Sequence, residues 1–168
     1  GGQVGAAQPA AHGIGTTIEV RDLFFATPAR LKFMKSTNAE RQAMIDIIER
    51  LALSSPAVGF TFTHDGRVLL QCAANQDIAA RIRHIYGDHE NWVDVAQNKS
   101  NCSLQGLLAT PALTAPNAMQ QLFIINKRPI RDRGLSAVLR SAYLDILPRD
   151  RYPVAILHIT VPADAVDM

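Results

Sequence analysis

A cluster of cations late in the chain is the feature of the sequence with the clearest chemistry. Between residues 127 and 140, five cations stand against one acid, Asp132, although the formal net charge of the chain is only +2. The cations are Lys127, Arg128, Arg131, Arg133 and Arg140. Basic side chains grouped in this way bind phosphates, so the segment predicts contact with a nucleic-acid backbone. The alternative is that the arginines are solvated, or that they pair with Asp132 and Asp145.

The cluster overlaps an amphipathic helix. Apolar residues recur at helical spacing along it, at Leu135, Val138, Leu139, Ala142 and Ile146, and Pro148 is expected to end it. Arg131 and Arg133 fall at its start, where the helix dipole disfavours an exposed cation by about 0.3–1 kcal/mol. An anion at the helix N-terminus, such as a phosphate, would reconcile the dipole with these charges. Arg140 lies seven residues after Arg133, so both are expected on the face opposite the apolar stripe.

Other kinds of chemistry have little support in the sequence. The five histidines, at positions 12, 64, 84, 89 and 158, lack the spacing of metal ligands, so no metal site is expected. Cys72 and Cys102 are isolated, which favours reduced thiols, with a disulfide between them as the alternative. No glycine-rich phosphate loop, nucleophile elbow or pair of catalytic carboxylates stands out, and an independent enzyme is not expected. No run of about 18 apolar residues predicts a membrane span.

The elements that must position the basic cluster alternate between strands and helices. Helices are predicted over residues 38–53 and 77–87, and a hairpin turns at Asp65 and Gly66. Further strands are predicted over residues 92–96, 103–109, 120–126 and 153–161. The unbroken apolar row from Leu122 to Ile125 is typical of a central strand buried on both faces. Interleaved strands and helices predict an α/β (or α+β) fold with helices packed against a sheet.

The segment from Gly15 to Phe33 is predicted to join two parts of the chain. Ile18 and Val20 alternate with charged residues as in a strand, and an apolar plug follows at residues 23–25. Pro28 is expected to end the strand, and a basic connector with Arg30, Lys32 and Lys35 comes after it. The alternative is an edge strand followed by an ordinary loop.

Two separated motifs resemble the MutL family of DNA mismatch-repair proteins. The first comprises Gly15-Thr16, Val20, Leu23-Phe24 and Pro28-Ala29-Arg30-x-Lys32-Phe33, and the second is Phe123-x-x-Asn126-x-Arg128-Pro129-x-x-Asp132. The likeness runs from about Gly13 to the C-terminus. Two positions depart from the family pattern, since Ala26 stands where many members have Asn and Lys127 where many have Gly.

The resemblance implies a particular fold and division of the chain. Residues 1–35 are expected to be the C-terminal remnant of a GHKL-type ATPase domain with its linker, and residues 36–168 a transducer domain. The implied transducer fold is ribosomal-protein-like, with a sheet of four to five strands covered by helices on one side. A left-handed β-α-β crossover is part of that expectation, against the generic right-handed rule.

The resemblance also implies a function. The transducer domain would couple ATP binding in the upstream domain to dimerisation and to sequence-independent DNA binding through Arg133, with Arg131, Arg128, Arg140 and Lys127 as neighbours. Thr16 would help to hold the nucleotide only with the upstream domain present. The fragment alone is expected to bind no cofactor and hydrolyse no ATP, whereas the full-length protein would use ATP and Mg. The implied partners are DNA, a MutS-type mismatch recognition protein, other repair proteins and a second copy, in the bacterial cytoplasm and without a membrane. The alternative function is a protein-interaction module without direct DNA contact.

Overall fold

The structure of the chain is a computed structural model that describes residues 3–9, 11–88 and 90–165. His89, one of the five histidines, lies outside the described residues. The chain divides into two compact units, Gly1–Thr37 and Asn38–Met168. Each unit is described by itself below.

The N-terminal unit lacks the strand predicted around Ile18 and Val20. Both side chains are exposed, by 82% and 73%, and no strand is formed in the described part of this unit. The prediction of an apolar plug at residues 23–25 is also wrong, because Phe25 is 87% exposed and Phe24 lies in a turn with φ 68°. A strand needs a hydrogen-bonded neighbour, and alternation alone does not supply one. Pro28 begins a short helix, α1 (Pro28–Leu31), rather than ending a strand, as suits a residue without a backbone N–H.

The second unit contains the remaining regular structure. Its helices are α2 (Thr37–Ser54, with Thr37 the last residue of the first unit), α3 (Ile78–Tyr86) and α4 (Arg133–Ala142). Its strands are β1 (Phe60–His64), β2 (Arg67–Cys72), β3 (Trp92–Lys99), β4 (Cys102–Ala109), β5 (Thr114–Ala115), β6 (Gln121–Ile125), β7 (Arg128–Ile130), β8 (Tyr152–Pro153) and β9 (Ala155–Thr160). Short 3₁₀ turns cover Ala118–Gln120 and Ala163–Ala165. None of the described helices combines the length and the apolar character needed to cross a membrane.

Local signals in the sequence account for most of these elements. The β1–β2 hairpin turns at Asp65 and Gly66, both with positive φ, as a two-residue hairpin loop requires. Asp77 caps α3 by accepting a hydrogen bond from the Ala80 N–H at 3.2 Å, and Gly87 ends the helix with φ 94°. The free thiols of Cys72 and Cys102 agree with the expectation of reduced cysteines.

The main sheet has five strands in the order β3-β4-β9-β6-β7. All neighbours are antiparallel except β6 and β9, which run parallel with Phe123 opposite Leu157. The predicted α/β (α+β) class with a sheet of up to five strands is therefore confirmed, and β6 is buried along almost its whole length as expected. The chain from β6 through α4 to β9 forms the β-α-β unit, and its left-handedness stays a prediction.

Helices cover both faces of this sheet, which corrects the expectation of one covered side. Leu122, Ile124 and Ile156 share one apolar cluster with Ile82 of α3. Phe123 and Leu157 point to the opposite face and share a second cluster with Leu139 of α4. The physical reason lies in β6 itself, because a strand with apolar residues at every position needs cover on both of its faces.

A buried arginine links the end of α2 to the loops around α3. Arg81 lies in α3 and is fully buried, although it is a charged residue. Its Nη1 donates to the Ala52 carbonyl at 3.1 Å, and its Nη2 donates to the carbonyls of Pro56, Val58 and Ala73. The guanidinium thus pairs one open carbonyl in the last turn of α2, where a cation is also favoured by the helix dipole, and three carbonyls in the loops after α2 and β2.

We expect His158 to make the stability of the fold dependent on pH. This residue of β9 is about nine-tenths buried, its Nε2 has no hydrogen-bond partner, and burial lowers its pKa from the ordinary value of 6.5. The unfolded chain therefore takes up the proton first as the pH falls. We expect the free energy of unfolding to be steady above pH 6.5 and to fall below it, by at most about 1.4 kcal/mol per pH unit.

The measurement is urea unfolding at pH 7, 6 and 5, repeated with His158→Leu. The variant should lose most of the decline, whereas the control His12→Leu, at an exposed position of the first unit, should keep it. Glu49 has the opposite effect on the pH dependence of stability, because burial raises its pKa. Since Glu49 is present in the wild type and in both variants, the difference between their pH slopes reports on the histidine. Equal pH slopes for the wild type and His158→Leu would contradict this assignment.

Candidate nucleic-acid interface

The turn between β6 and β7 presents the first cation of the basic cluster. Asn126 and Lys127 have φ values of 48° and 68°, so the turn is a two-residue hairpin with both residues in the left-handed region. Asn126 is fixed there, because its Nδ2 donates to the Val161 carbonyl at 3.0 Å and its Oδ1 accepts from the Val161 N–H at 3.1 Å. Lys127 occupies a strained position that normally favours glycine, and it places an ammonium group at the exposed tip.

Asp132 determines the electrostatics at the start of α4. Its Oδ1 accepts a hydrogen bond from the Leu135 N–H at 2.7 Å, so Asp132 is the N-cap and Arg133 the first helical residue. Arg131 therefore precedes the helix, contrary to the prediction that placed it in the first turn. The Asp132 carboxylate supplies the negative charge that the dipole favours, and no bound anion is needed to reconcile the two.

Four exposed cations that lie close together in the sequence are here called the basic corner: Lys127, Arg128, Arg131 and Arg133. Within the part of the chain that the structure describes, no ion pair joins Lys127, Arg131 or Arg133 to an acid. A cavity of about 420 Å³ opens beside it, lined by Arg131, Asp132, Arg133, Ser136, Phe123, Gln121, Met119 and Ala118. The sequence suggested that Asp132 could pair with these arginines. In the structure its carboxylate caps α4 instead.

Arg140 has a different environment from the other cations. Its Nη1 donates to the Tyr152 hydroxyl at 2.8 Å and its Nη2 to the Arg149 carbonyl at 2.6 Å. The Arg140 Cζ also lies 4.4 Å from the centre of the Tyr152 ring, within the range of a cation–π contact. The side chain is half-buried and holds the segment between α4 and β8 against β8.

The helix that carries these arginines is shorter than its sequence pattern indicated. It ends at Ala142, and Val138 and Ile146, assigned to its apolar stripe, are 68% and 57% exposed. Tyr143 follows the helix and donates from its hydroxyl to the Ala109 carbonyl at 2.8 Å. This contact anchors the chain to the end of β4, and residues 143–147 form turns instead of another helical turn.

A second cavity was missed by the reasoning from sequence. It measures about 470 Å³ and is lined by Asp46, Glu49 and Arg50 of α2, Tyr86 of α3, residues 115–117 and 119–122, and Pro129, Ile130 and Arg131. Met119, Gln121 and Arg131 line both cavities. The one available signal was Gln121, a polar residue at the head of an apolar strand.

The remaining candidates lie elsewhere. Thr16, the expected nucleotide contact, belongs to the first unit and is exposed there. Over residues 3–9, 11–88 and 90–165, no group of three or more histidine, cysteine or acidic side chains is placed to hold a metal ion.

Comparison with known protein families identifies the relationships of the chain. Residues 82–168 match the family model described as DNA mismatch repair protein, C-terminal domain. The DNA mismatch repair protein MutL of Mesorhizobium japonicum is 40% identical over 174 aligned residues, covering 100% of this chain and 28% of the relative. MutL of Azorhizobium caulinodans is 43% identical with the same coverage. The chain belongs to the MutL family of DNA mismatch-repair proteins.

Solved structures of MutL proteins agree with this membership. The Aquifex aeolicus MutL ATPase domain complexed with ADP matches with a TM-score of 0.64 and 26% identity, over 85% of this chain and 51% of that one. The ATPase domain from the Aquifex aeolicus mismatch repair endonuclease matches with a TM-score of 0.61. This chain thus spans about a quarter of the length of the MutL relatives it matches and about half of these ATPase-domain structures.

Proposed function

We propose that this part of a MutL protein couples ATP binding in an upstream domain to dimerisation and to sequence-independent DNA binding. In this proposal residues 1–35 are the end of the GHKL-type ATPase domain and residues 36–168 the transducer domain. ATP and Mg are cofactors of the longer protein, Thr16 contacts the nucleotide only beside that domain, and this chain alone hydrolyses no ATP. A MutS-type mismatch recognition protein and other repair proteins are the expected protein partners. The likeness to the ADP-bound Aquifex aeolicus ATPase domain supports the link to a nucleotide.

The observation that carries DNA binding is the basic corner. Arg131 and Arg133 are exposed on either side of Asp132, and the β6–β7 turn adds Lys127 and Arg128. Side chains of this kind neutralise backbone phosphates without reading base sequence. Arg140, already bonded to Tyr152 and Arg149, is left outside the contact set.

The test is charge reversal at the basic corner. Duplex DNA binding by Arg131→Glu/Arg133→Glu should be weaker by at least about tenfold, and the slope of log K against log salt should fall by about 2 because two phosphate contacts are lost. The measurement is fluorescence anisotropy with labelled duplex at about 50, 100 and 200 mM salt.

A matched control separates local contacts from the change in total charge. Arg67→Glu/Lys99→Glu reverses two exposed cations that lie on β2 and β3 and line neither of the two cavities. It should bind DNA within about twofold of the wild type and keep the salt slope. If both double variants lose the same affinity, the basic corner is not the contact surface.

The alternative, a protein-interaction module without DNA contact, has one observation in its favour. Met44, Ile47 and Leu51 lie at helical spacing along α2 and are 41–56% exposed. An exposed apolar stripe suits contact with another protein surface. Under this alternative, the wild type would show no salt-dependent DNA binding in the same titration.

A further inference from the structure

The cavity beside α2 is rich in hydrogen-bond acceptors. Asp46 and Glu49 line it from α2, Tyr86 from α3 and Gln121 from the head of β6. Its apolar lining comes from Leu122, Pro116, Pro129 and Ile130, and Arg50 and Arg131 line it as well. A site that combines acceptors with apolar surface fits a ligand that carries several donors on a hydrocarbon stem.

Two acids and two arginines line the cavity, and the acids lie together on α2 at Asp46 and Glu49. Burial raises the pKa of the half-buried Glu49, and the charge of Asp46 raises it further, against a smaller opposing effect of Arg50. The pKa of Tyr86 is also raised, first by burial and then by the charge of Glu49. Burial is the larger cause in both cases, and among the charges the neighbouring acid outweighs Arg50, so a cation is favoured beside the two carboxylates.

Gln121 adds an acceptor without a partner. The residue is only 5% exposed, and its Nε2 donates to the Pro153 carbonyl at 3.2 Å while its Oε1 has no hydrogen bond. A buried acceptor left unpaired costs about 1–3 kcal/mol, and a ligand donor would recover part of that cost. The oxygen is shielded from solvent, so a donor reaches it by displacing a neighbour.

We propose that this cavity binds the cationic end of an arginine or lysine side chain from a partner protein, with the Glu49 and Asp46 carboxylates and the Gln121 Oε1 as acceptors. The aliphatic stem of the ligand lies along Leu122 and Ile130. A free diamine fits less well, because its second charge would meet Arg50 or Arg131 on the cavity wall. This site is separate in chemistry from the basic corner and does not rest on DNA binding.

Arg131 connects the two sites. It lines this cavity as well as the one beside α4, so its charge competes with an incoming cation here and attracts phosphate there. Removing it should therefore have opposite effects on the two ligands. Arg131→Ala should bind a cationic probe more tightly and duplex DNA more weakly than the wild type does.

The experiment titrates the chain with N-acetyl-arginine methylamide and with its uncharged isostere, N-acetyl-citrulline methylamide. Trp92 is the single tryptophan, and its ring centre lies 6.3 Å from that of Tyr86 in an edge-to-face arrangement, so its fluorescence reports on the cavity. Amide chemical shifts locate the bound probe. We expect the arginine probe to bind at least about tenfold more tightly than the citrulline probe, and agmatine, a free dication, to bind more weakly than the arginine probe.

Variants of the cavity decide the assignment. Glu49→Gln should weaken binding of the arginine probe by about tenfold. The substitution removes a charge that burial disfavours, so the variant should still fold. Asp145→Asn, an exposed acid outside the cavity, is the matched control and should bind the probe as the wild type does. Equal binding of the arginine and citrulline probes, or unchanged binding to Glu49→Gln, would overturn the proposal. Tighter binding of agmatine than of the arginine probe would assign the cavity to a free amine instead of a protein partner.

Discussion

Arg81→Met is expected to lower the free energy of unfolding of the second unit by about 3–5 kcal/mol. The substitution keeps an unbranched stem of similar length but leaves the carbonyls of Ala52, Val58 and Ala73 without the guanidinium donors that now serve them. The Pro56 carbonyl loses one of its two donors and keeps the Gln76 N–H at 3.1 Å. Each buried acceptor left unpaired costs about 1–3 kcal/mol, and partial access of water reduces the sum. Because native domains are stable by only about 5–15 kcal/mol, the loss is a large fraction of the total. Urea unfolding followed by Trp92 fluorescence measures it.

The controls for this prediction lie on the same helix. Arg83→Met removes the same charge from α3 but breaks only ion pairs with Asp94 and Asp88 at the surface, and it should shift the unfolding midpoint little. Arg81→Lys keeps the charge without the planar array of donors, so it should fall between the wild type and Arg81→Met. If Arg81→Met and Arg83→Met unfold at the same urea concentration, the hydrogen bonds from the Arg81 guanidinium to the carbonyls do not contribute to stability.

Arg81 also shows why part of the fold could not be predicted from the sequence. A cation between apolar positions of a short helix normally points to solvent, and nothing in its neighbours along the chain signals burial. Its partners are backbone carbonyls that come together only when the ends of α2 and β2 meet near α3. The elements that were predicted correctly, such as the β1–β2 turn at Asp65 and Gly66, depend on residues within a few positions of one another.

In the first unit the error was the reverse, because a local pattern predicted a strand that the structure does not contain. Ile18 and Val20 have the alternation of a strand, but alternation is only a preference for a pleated, half-buried surface. With no neighbouring strand in the described part of that unit, both side chains remain exposed. The prediction from local pattern therefore holds only where the rest of the chain supplies the partner, as it does for β6 between β7 and β9.

The residue types of the candidate site could be predicted from the sequence, but their exposure and contacts could not. The excess of cations after residue 126 could be read directly from the sequence, and it marks the basic corner. Whether a cation is exposed depends on distant groups, as with Arg140, which meets Tyr152 only because β8 lies beside α4. Asp132 could have been recognised as an N-cap three residues before Leu135, and that single step would have removed the apparent need for an anion at the helix.

The second large effect is expected at Gly106 in the middle of β4. Its φ is +149°, and a Cβ added there would lie 2.1 Å from the Ile156 carbonyl oxygen of β9, a backbone atom that cannot rotate away. Gly106 therefore permits the close approach of β4 to β9, the pair that joins the two halves of the sheet. Gly106→Ala must separate these strands or strain the backbone, each at about 1–3 kcal/mol, so we expect a loss of about 3 kcal/mol or more.

For a chain of this size, such a loss lowers the melting temperature by about 6–12 °C. Thermal unfolding followed by circular dichroism measures it, and Gly59→Ala is the matched control. A Cβ at Gly59 would meet its nearest neighbours at 3.4 Å, an ordinary contact, so the control should melt within a few degrees of the wild type. The same sheet contains β6 and β7, whose turn carries Lys127 of the basic corner. Gly106→Ala should therefore also weaken DNA binding at temperatures near its own melting temperature, and should leave it unchanged at temperatures far below. A melting temperature equal to that of Gly59→Ala would mean that β4 and β9 can separate without cost, and that the close approach at Gly106 does not hold the sheet together.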